Sequence, residues 1–184
     1  GLWRILGDTS SVLQTVPVAE GYGAYSPRSV VQGSDGTLYW LGPDGLFAWN
    51  GNGEPENIGE PAATNPVRGI SGTLARINPE YVGGVVSCYN PTTRLVHFFV
   101  PLDSDCFNNY CLTIDTTTNT FVTDIAPTLA VSSCAIVTGP DGTAEMLLGD
   151  VYGNLFQTEV GNCDGCFGIE CVVRVRDEEE LEQV

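Results

Sequence analysis

Apolar and polar positions alternate with a period of two along residues 35–51, read DGTLYWLGPDGLFAWNG. Side chains of a strand point alternately to opposite faces, so Leu38 and Trp40 share one face and Tyr39 and Leu41 the other. Gly42-Pro43-Asp44-Gly45 then supplies a turn, Leu46-Phe47-Ala48-Trp49 returns, and Asn50-Gly51 turns again, which predicts a β-hairpin. Residues 141–157, DGTAEMLLGDVYGNLFQ, repeat the order: Asp-Gly-Thr, apolar strand, Gly and Asp at the turn, returning strand. Two separated copies of one hairpin mark a repeat protein.

The rest of the chain follows the same grammar. Residues 1–20 read as two short strands about a turn, and Pro27 stands where a strand begins, a place a ladder tolerates it. Residues 81–89 (YVGGVVSCY) and 94–100 (RLVHFFV) flank an Asn90-Pro91-Thr92-Thr93 turn, and shorter runs follow at 110–114, 120–122, 130–138, 145–148 and 155–157. A new strand set is expected from Ala75, and only residues 66–74 leave room for a short helical turn. The expected fold is all-β, with β-propeller-like repeats of antiparallel meanders over residues 1–160. The candidate blades are 24–60, 75–124 and 130–160, followed by a Cys-rich and acidic segment at 161–184. A blade takes ~40 to 50 residues and a closed propeller ~4 to 8 blades. Three blades therefore read as an incomplete portion of a larger propeller, with a β-sandwich as the alternative.

Composition sharpens this picture. The 184 residues include 22 Gly and 11 Pro, which suits many turns between short strands. The formal charge is −16, from 23 acidic against seven basic residues, and Lys is absent. Such a surface repels phosphate, so nucleic-acid binding through a basic patch is disfavoured. No stretch reaches the ~20 apolar residues that span a bilayer, so membrane insertion is not expected. The chain begins at Gly1 without Met and reads as a processed product or a part of something longer.

Candidate chemistry is sparse, and an enzyme is not expected. His97, the only histidine, alternates with Val96 and Phe98 and reads as a strand residue facing solvent or a hydrogen-bonding neighbour. No phosphate-cradling loop with Lys, no nucleophile elbow and no cofactor motif occurs. Among the seven cysteines, the run Cys163-x-x-Cys166-x-x-x-x-Cys171 has a spacing that holds zinc if a fourth ligand joins it. A Cys106–Cys111 disulfide is open, and Cys88 and Cys134 read as buried thiols. Asp35, Asp44, Asp141 and Asp150 offer carboxylates for calcium, but Asp and Gly at these places are explained by turn chemistry. Trp40, Phe47 and Trp49 are candidate contacts for a ligand or a neighbouring subunit, with core packing as the competing role.

The sequence 24–58 also carries a resemblance. Ser26-Pro27-Arg28-Ser29-Val30, Asp44-Gly45-Leu46-Phe47 and the later Tyr89-Asn90-Pro91-Thr92-Thr93-Arg94 to Val100 hairpin resemble the recurring pattern of tail hub, nozzle and DNA-stabilisation proteins of short-tailed bacteriophages and related viruses. The resemblance implies a β-rich, non-enzymatic virion protein of the tail or neck. It also implies a homo-oligomeric ring that meets other tail proteins and lets DNA pass without sequence-specific binding. An acidic, Lys-free chain suits a channel along which DNA slides without sticking. The alternative is an extracellular β-propeller or β-sandwich that recognises a glycan through Trp40 or Trp49.

Overall fold

Each turn motif sends the chain back along the strand it has just made, so every sheet is a meander of sequence neighbours. The computed structural model describes residues 1–7, 12–60, 70–118, 120–125, 129–158, 163–164 and 167–168. A first hairpin joins β1 (Leu2–Leu6) to β2 (Gln14–Ala19). The first four-stranded sheet runs in the order β3 (Val30–Gln32), β4 (Leu38–Gly42), β5 (Gly45–Trp49), β6 (Glu56–Asn57). One helical turn, α1 (Ser71–Leu74), leads to a second sheet of β7 (Val86–Asn90), β8 (Leu95–Val100), β9 (Tyr110–Asp115) and β10 (Thr120–Ile125). A third sheet contains β11 (Val131–Thr138), β12 (Ala144–Asp150) and β13 (Leu155–Gln157), and β14 (Cys163–Asp164) pairs with β15 (Phe167–Gly168). All pairings among these strands are antiparallel. The all-β meander expected from the alternation is therefore present, and among the described residues no sheet closes on itself.

The two Asp-Gly-Thr motifs build one local structure twice. In the β3–β4 loop Gly33 N–H donates to Thr37 O at 2.9 Å, and the Asp35 carboxylate accepts from the Thr37 amide and hydroxyl at 3.0 and 2.8 Å. In the β11–β12 loop Gly139 N–H donates to Thr143 O at 2.8 Å, and Asp141 accepts from the Thr143 amide and hydroxyl at 3.0 and 2.6 Å. The Gly between them has φ of 86° at Gly36 and 82° at Gly142, left-handed values that Gly adopts without steric cost. Asn90 does the same work after β7, accepting from Thr92 N–H at 2.9 Å. The sequence repeat is thus a repeat of turn chemistry between the first and second strands of each sheet.

Register decides which apolar residues meet. In β4–β5 Tyr39 pairs with Ala48 and Leu41 with Leu46 on one face, while Trp40 pairs with Phe47 on the other. The Tyr39 and Leu41 face packs with Val96, Phe98 and Val100 of β8 and Leu112 and Ile114 of β9 in the larger core. The opposite face of the second sheet contributes Val86, Cys88, Phe99 and Cys111, which pack with Val131, Met146 and Leu148 of the third sheet. The second sheet is buried on both faces, which is why 95–100 is a nearly continuous apolar run rather than an alternating one.

After the first sheet the strand boundaries depart from the sequence reading. Residues 81–89 are not one strand: Val82–Gly84 is a 3₁₀ turn and β7 begins only at Val86, because Gly83-Gly84 gives a strand nothing to pack. No strand starts at Ala75; α1 and an isolated bridge from Ile77 to Leu102 stand there instead.

Candidate functional site

The Ser26-Pro27-Arg28-Ser29 motif does not open a strand but ties three sheets together. Pro27–Ser29 is a 3₁₀ turn whose first position tolerates Pro, since the missing N–H has no helical partner there. Ser26 Oγ accepts from Arg28 N–H at 3.1 Å and donates to Val85 O at 2.8 Å, just before β7. Ser29 Oγ donates to Ser26 O at 2.8 Å, and its oxygen accepts from Ser26 N–H at 3.2 Å, which completes a capping box. Both serines are buried, so these bonds satisfy polar groups that water does not reach. Ser87 Oγ of β7 donates to Arg28 O at 2.9 Å, and Arg28 Nη1 donates to Ser132 O of β11 at 3.1 Å. Asn108 adds a further clamp, donating to Gly84 O and Val131 O at 2.7 and 2.8 Å. The first strands of the three successive sheets, β3, β7 and β11, accordingly lie in contact as a row.

The aromatic candidates occupy the far face of the first sheet. Trp40 and Phe47 are each 4% exposed; their rings stack with centroids 5.5 Å apart, and Tyr22 meets Phe47 edge-on at 5.1 Å. Segment 21–25 crosses so close that a Cβ on Gly42 would lie 1.9 Å from Gly23 O. Trp49 is half-buried: its Nε1–H donates to Gly53 O at 3.0 Å, and the Arg4 guanidinium sits 5.3 Å above its ring. Arg4 also donates to Gly51 O, which anchors the β1–β2 hairpin beside this face. In the chain itself Trp40 and Phe47 are packing groups, though Phe47 also borders a groove of about 370 Å³ with Tyr22 and Asn57, and Trp49 borders one of about 310 Å³ together with Arg4, Val16 and Asn52. The contact with Arg4 was invisible in the sequence because 45 residues separate the partners.

The carboxylates of Asp35, Asp141 and Asp150 are occupied by their turns. Besides Asp35 and Asp141, Asp150 accepts from the amides of Tyr152 and Asn154 at 2.9 and 2.8 Å and from Asn154 Nδ2 at 2.8 Å. Among the described residues no three His, Cys, Asp or Glu side chains stand together as a metal-ligating group. For the zinc expected at Cys163, Cys166 and Cys171, Cys166 and Cys171 lie outside the described residues, and only the backbone of Cys163, in β14, is placed.

Cys88, Cys106 and Cys134 form no disulfide. A Cys106–Cys111 disulfide does not form, because Cys111 turns inward from β9 while Cys106 is exposed in the preceding loop. Cys88, Cys111 and Cys134 instead converge with His97 and Met146 between the second and third sheets. Cys88 pairs across the ladder with His97, and His97 with Thr113. His97 does not face solvent: it is 7% exposed, with Nδ1 3.1 Å from Thr113 Oγ1 and 3.8 Å from Cys111 Sγ. Its Nε2 is buried with no hydrogen-bond partner. Burial disfavours the imidazolium and pushes the His97 pKa down to about 4, so the ring is neutral near pH 7.

Compared with known proteins, the chain matches no protein-family profile and no curated sequence. No helix among the described residues is long and apolar enough to cross a membrane.

Proposed function

We propose that the chain is a structural protein of a viral tail or neck, which assembles head to tail into a ring around a DNA channel. In this reading the three sheets are blades of a β-propeller-like wedge. The observation that supports it most directly is the stacking itself. Each sheet covers a face of the next, and the first strands β3, β7 and β11 run together as the inner edge of such a wedge would. A stack of this kind ends in two faces that need cover.

Both ends carry exposed apolar residues. At one, the β1–β2 hairpin leaves Trp3 60% and Ile5 65% exposed, with Leu13 beside them. At the other, the outer face of the third sheet presents Ala135, Val137 and Leu147, with Leu155 71% exposed on β13. Two different faces on opposite ends suit a second copy of the same chain in a heterologous contact, which makes a ring when the rotation closes. The resemblance of 26–30, 44–47 and 89–100 to phage tail hub and nozzle proteins supplies the virion context. The −16 charge without Lys keeps DNA phosphates from binding to the wall.

Native mass spectrometry and negative-stain imaging of the purified chain test this. A closed ring is expected, and Ile5→Glu or Leu155→Glu is expected to dissociate it while leaving the melting temperature of the chain unchanged. A strict monomer that joins neither a ring nor a particle refutes the proposal.

A further inference from the structure

The structure assigns Cys88, Cys134 and Met146, the first and last buried and Cys134 half-buried, as a three-sulfur site for a soft monovalent metal ion, with Cu(I) as its ligand class. Three observations converge on it. The Cys88 thiol reaches Met146 Sδ at 3.3 Å, and the β11–β12 register, with Cys134 opposite Leu148 and Ile136 opposite Met146, sets Cys134 on the sheet face of Met146, packed against the cluster that holds both Cys88 and Met146. These sulfurs come from β7, β11 and β12, so two sheets deliver them to one point, and the surrounding wall is Val86, Phe99, Val131 and Leu148. Among the described residues no three His, Cys, Asp or Glu side chains are close enough to form a metal-ligating group, so a tetrahedral zinc centre does not fit. Two thiolates and one thioether are a soft, low-coordinate set that suits Cu(I).

Ligation forms two Cu–thiolate bonds and one Cu–thioether bond and releases the thiol protons to solvent. The site clamps the second sheet to the third, at a junction also held by Arg28, Asn108, the Ala144 N–H to Thr92 Oγ1 bond and apolar packing.

The test uses the full chain carrying Cys106→Ser, Cys163→Ser, Cys166→Ser and Cys171→Ser, which removes the other thiols that compete for metal. Cu(I) is titrated under anaerobic conditions against a chromophoric chelator. One ion per chain is expected, with an all-sulfur first shell at the copper edge in X-ray absorption. Cys134→Ser and the volume-conserving Met146→Leu should each weaken binding by more than about a hundredfold, beyond the loss typical of an outer-shell change. Circular dichroism reports whether each variant is folded, and Met146→Leu serves if Cys134→Ser is not. Cys111→Ser should leave the affinity unchanged. Binding that survives both Cys134→Ser and Met146→Leu, an oxygen or nitrogen shell, or loss of binding in Cys111→Ser overturns the assignment. So does a Cys88–Cys134 disulfide that, once reduced, yields a chain with no Cu(I) affinity.

Discussion

Acidification should destabilise this protein through one residue. His97 is the only histidine, and the groups that face it are the Thr113 hydroxyl and the thiols of Cys88 and Cys111, none of them a carboxylate. Its pKa falls from 6.5 in the unfolded chain to about 4 in the fold. Between those values the unfolded chain binds a proton that the folded chain refuses, so stability falls as pH falls. The contribution is fully present above the unfolded value and is lost progressively toward the folded one. By about pH 5 the loss amounts to about 2 kcal/mol, and well below the folded value it approaches roughly 3 kcal/mol. Urea unfolding at pH 7.5, 6 and 5 measures this. His97→Gln, which cannot ionise, should flatten the difference over that range, and subtraction of the two curves removes the effect of relieved acidic repulsion. An identical slope in the wild type and in His97→Gln would show that the buried imidazole does not set the pH dependence.

Two further substitutions probe how the sheets are joined. Ser26→Ala removes the hydroxyl that caps the 3₁₀ turn and bonds Val85 O, leaving buried groups unpaired. It should cost about 1 to 3 kcal/mol in chemical denaturation, whereas Ser26→Thr, which keeps the hydroxyl, should cost less. Gly42→Ala drives a Cβ to 1.9 Å from Gly23 O, a backbone atom that cannot swing aside. A loss above about 2 kcal/mol in the same assay is expected, and a melting temperature equal to the wild type would mean that segment 21–25 does not hold this position.

Much of the architecture was legible because it is local. The alternation at 38–49 set the two faces of β4 and β5, and the register delivers Tyr39 and Leu41 to one side and Trp40 and Phe47 to the other as the alternation requires. The recurrence of Asp-Gly-Thr foretold two copies of one loop, since an Asx-type turn needs only residues two apart and a Gly with left-handed freedom. Gly83-Gly84 misled because periodicity at 81–89 was read through a pair of residues with no side chains.

What a side chain meets across sheets was not legible. Ser26 three residues before Ser29 is the spacing of a capping box, yet its bond to Val85 spans 59 positions. Likewise His97 reads in sequence as a strand residue with a choice of water or partner, and the answer came from the third sheet packing over it. Cys88, Cys134 and Met146 lie far apart in the chain and carry no spacing motif at all. The sequence by itself determined strands, turns and which residues share a face, since a two-residue period and φ preference are properties of neighbours. Only the tertiary structure decided which faces are covered, which thiols meet and which imidazole loses its water, because burial depends on sheets brought together from distant parts of the chain.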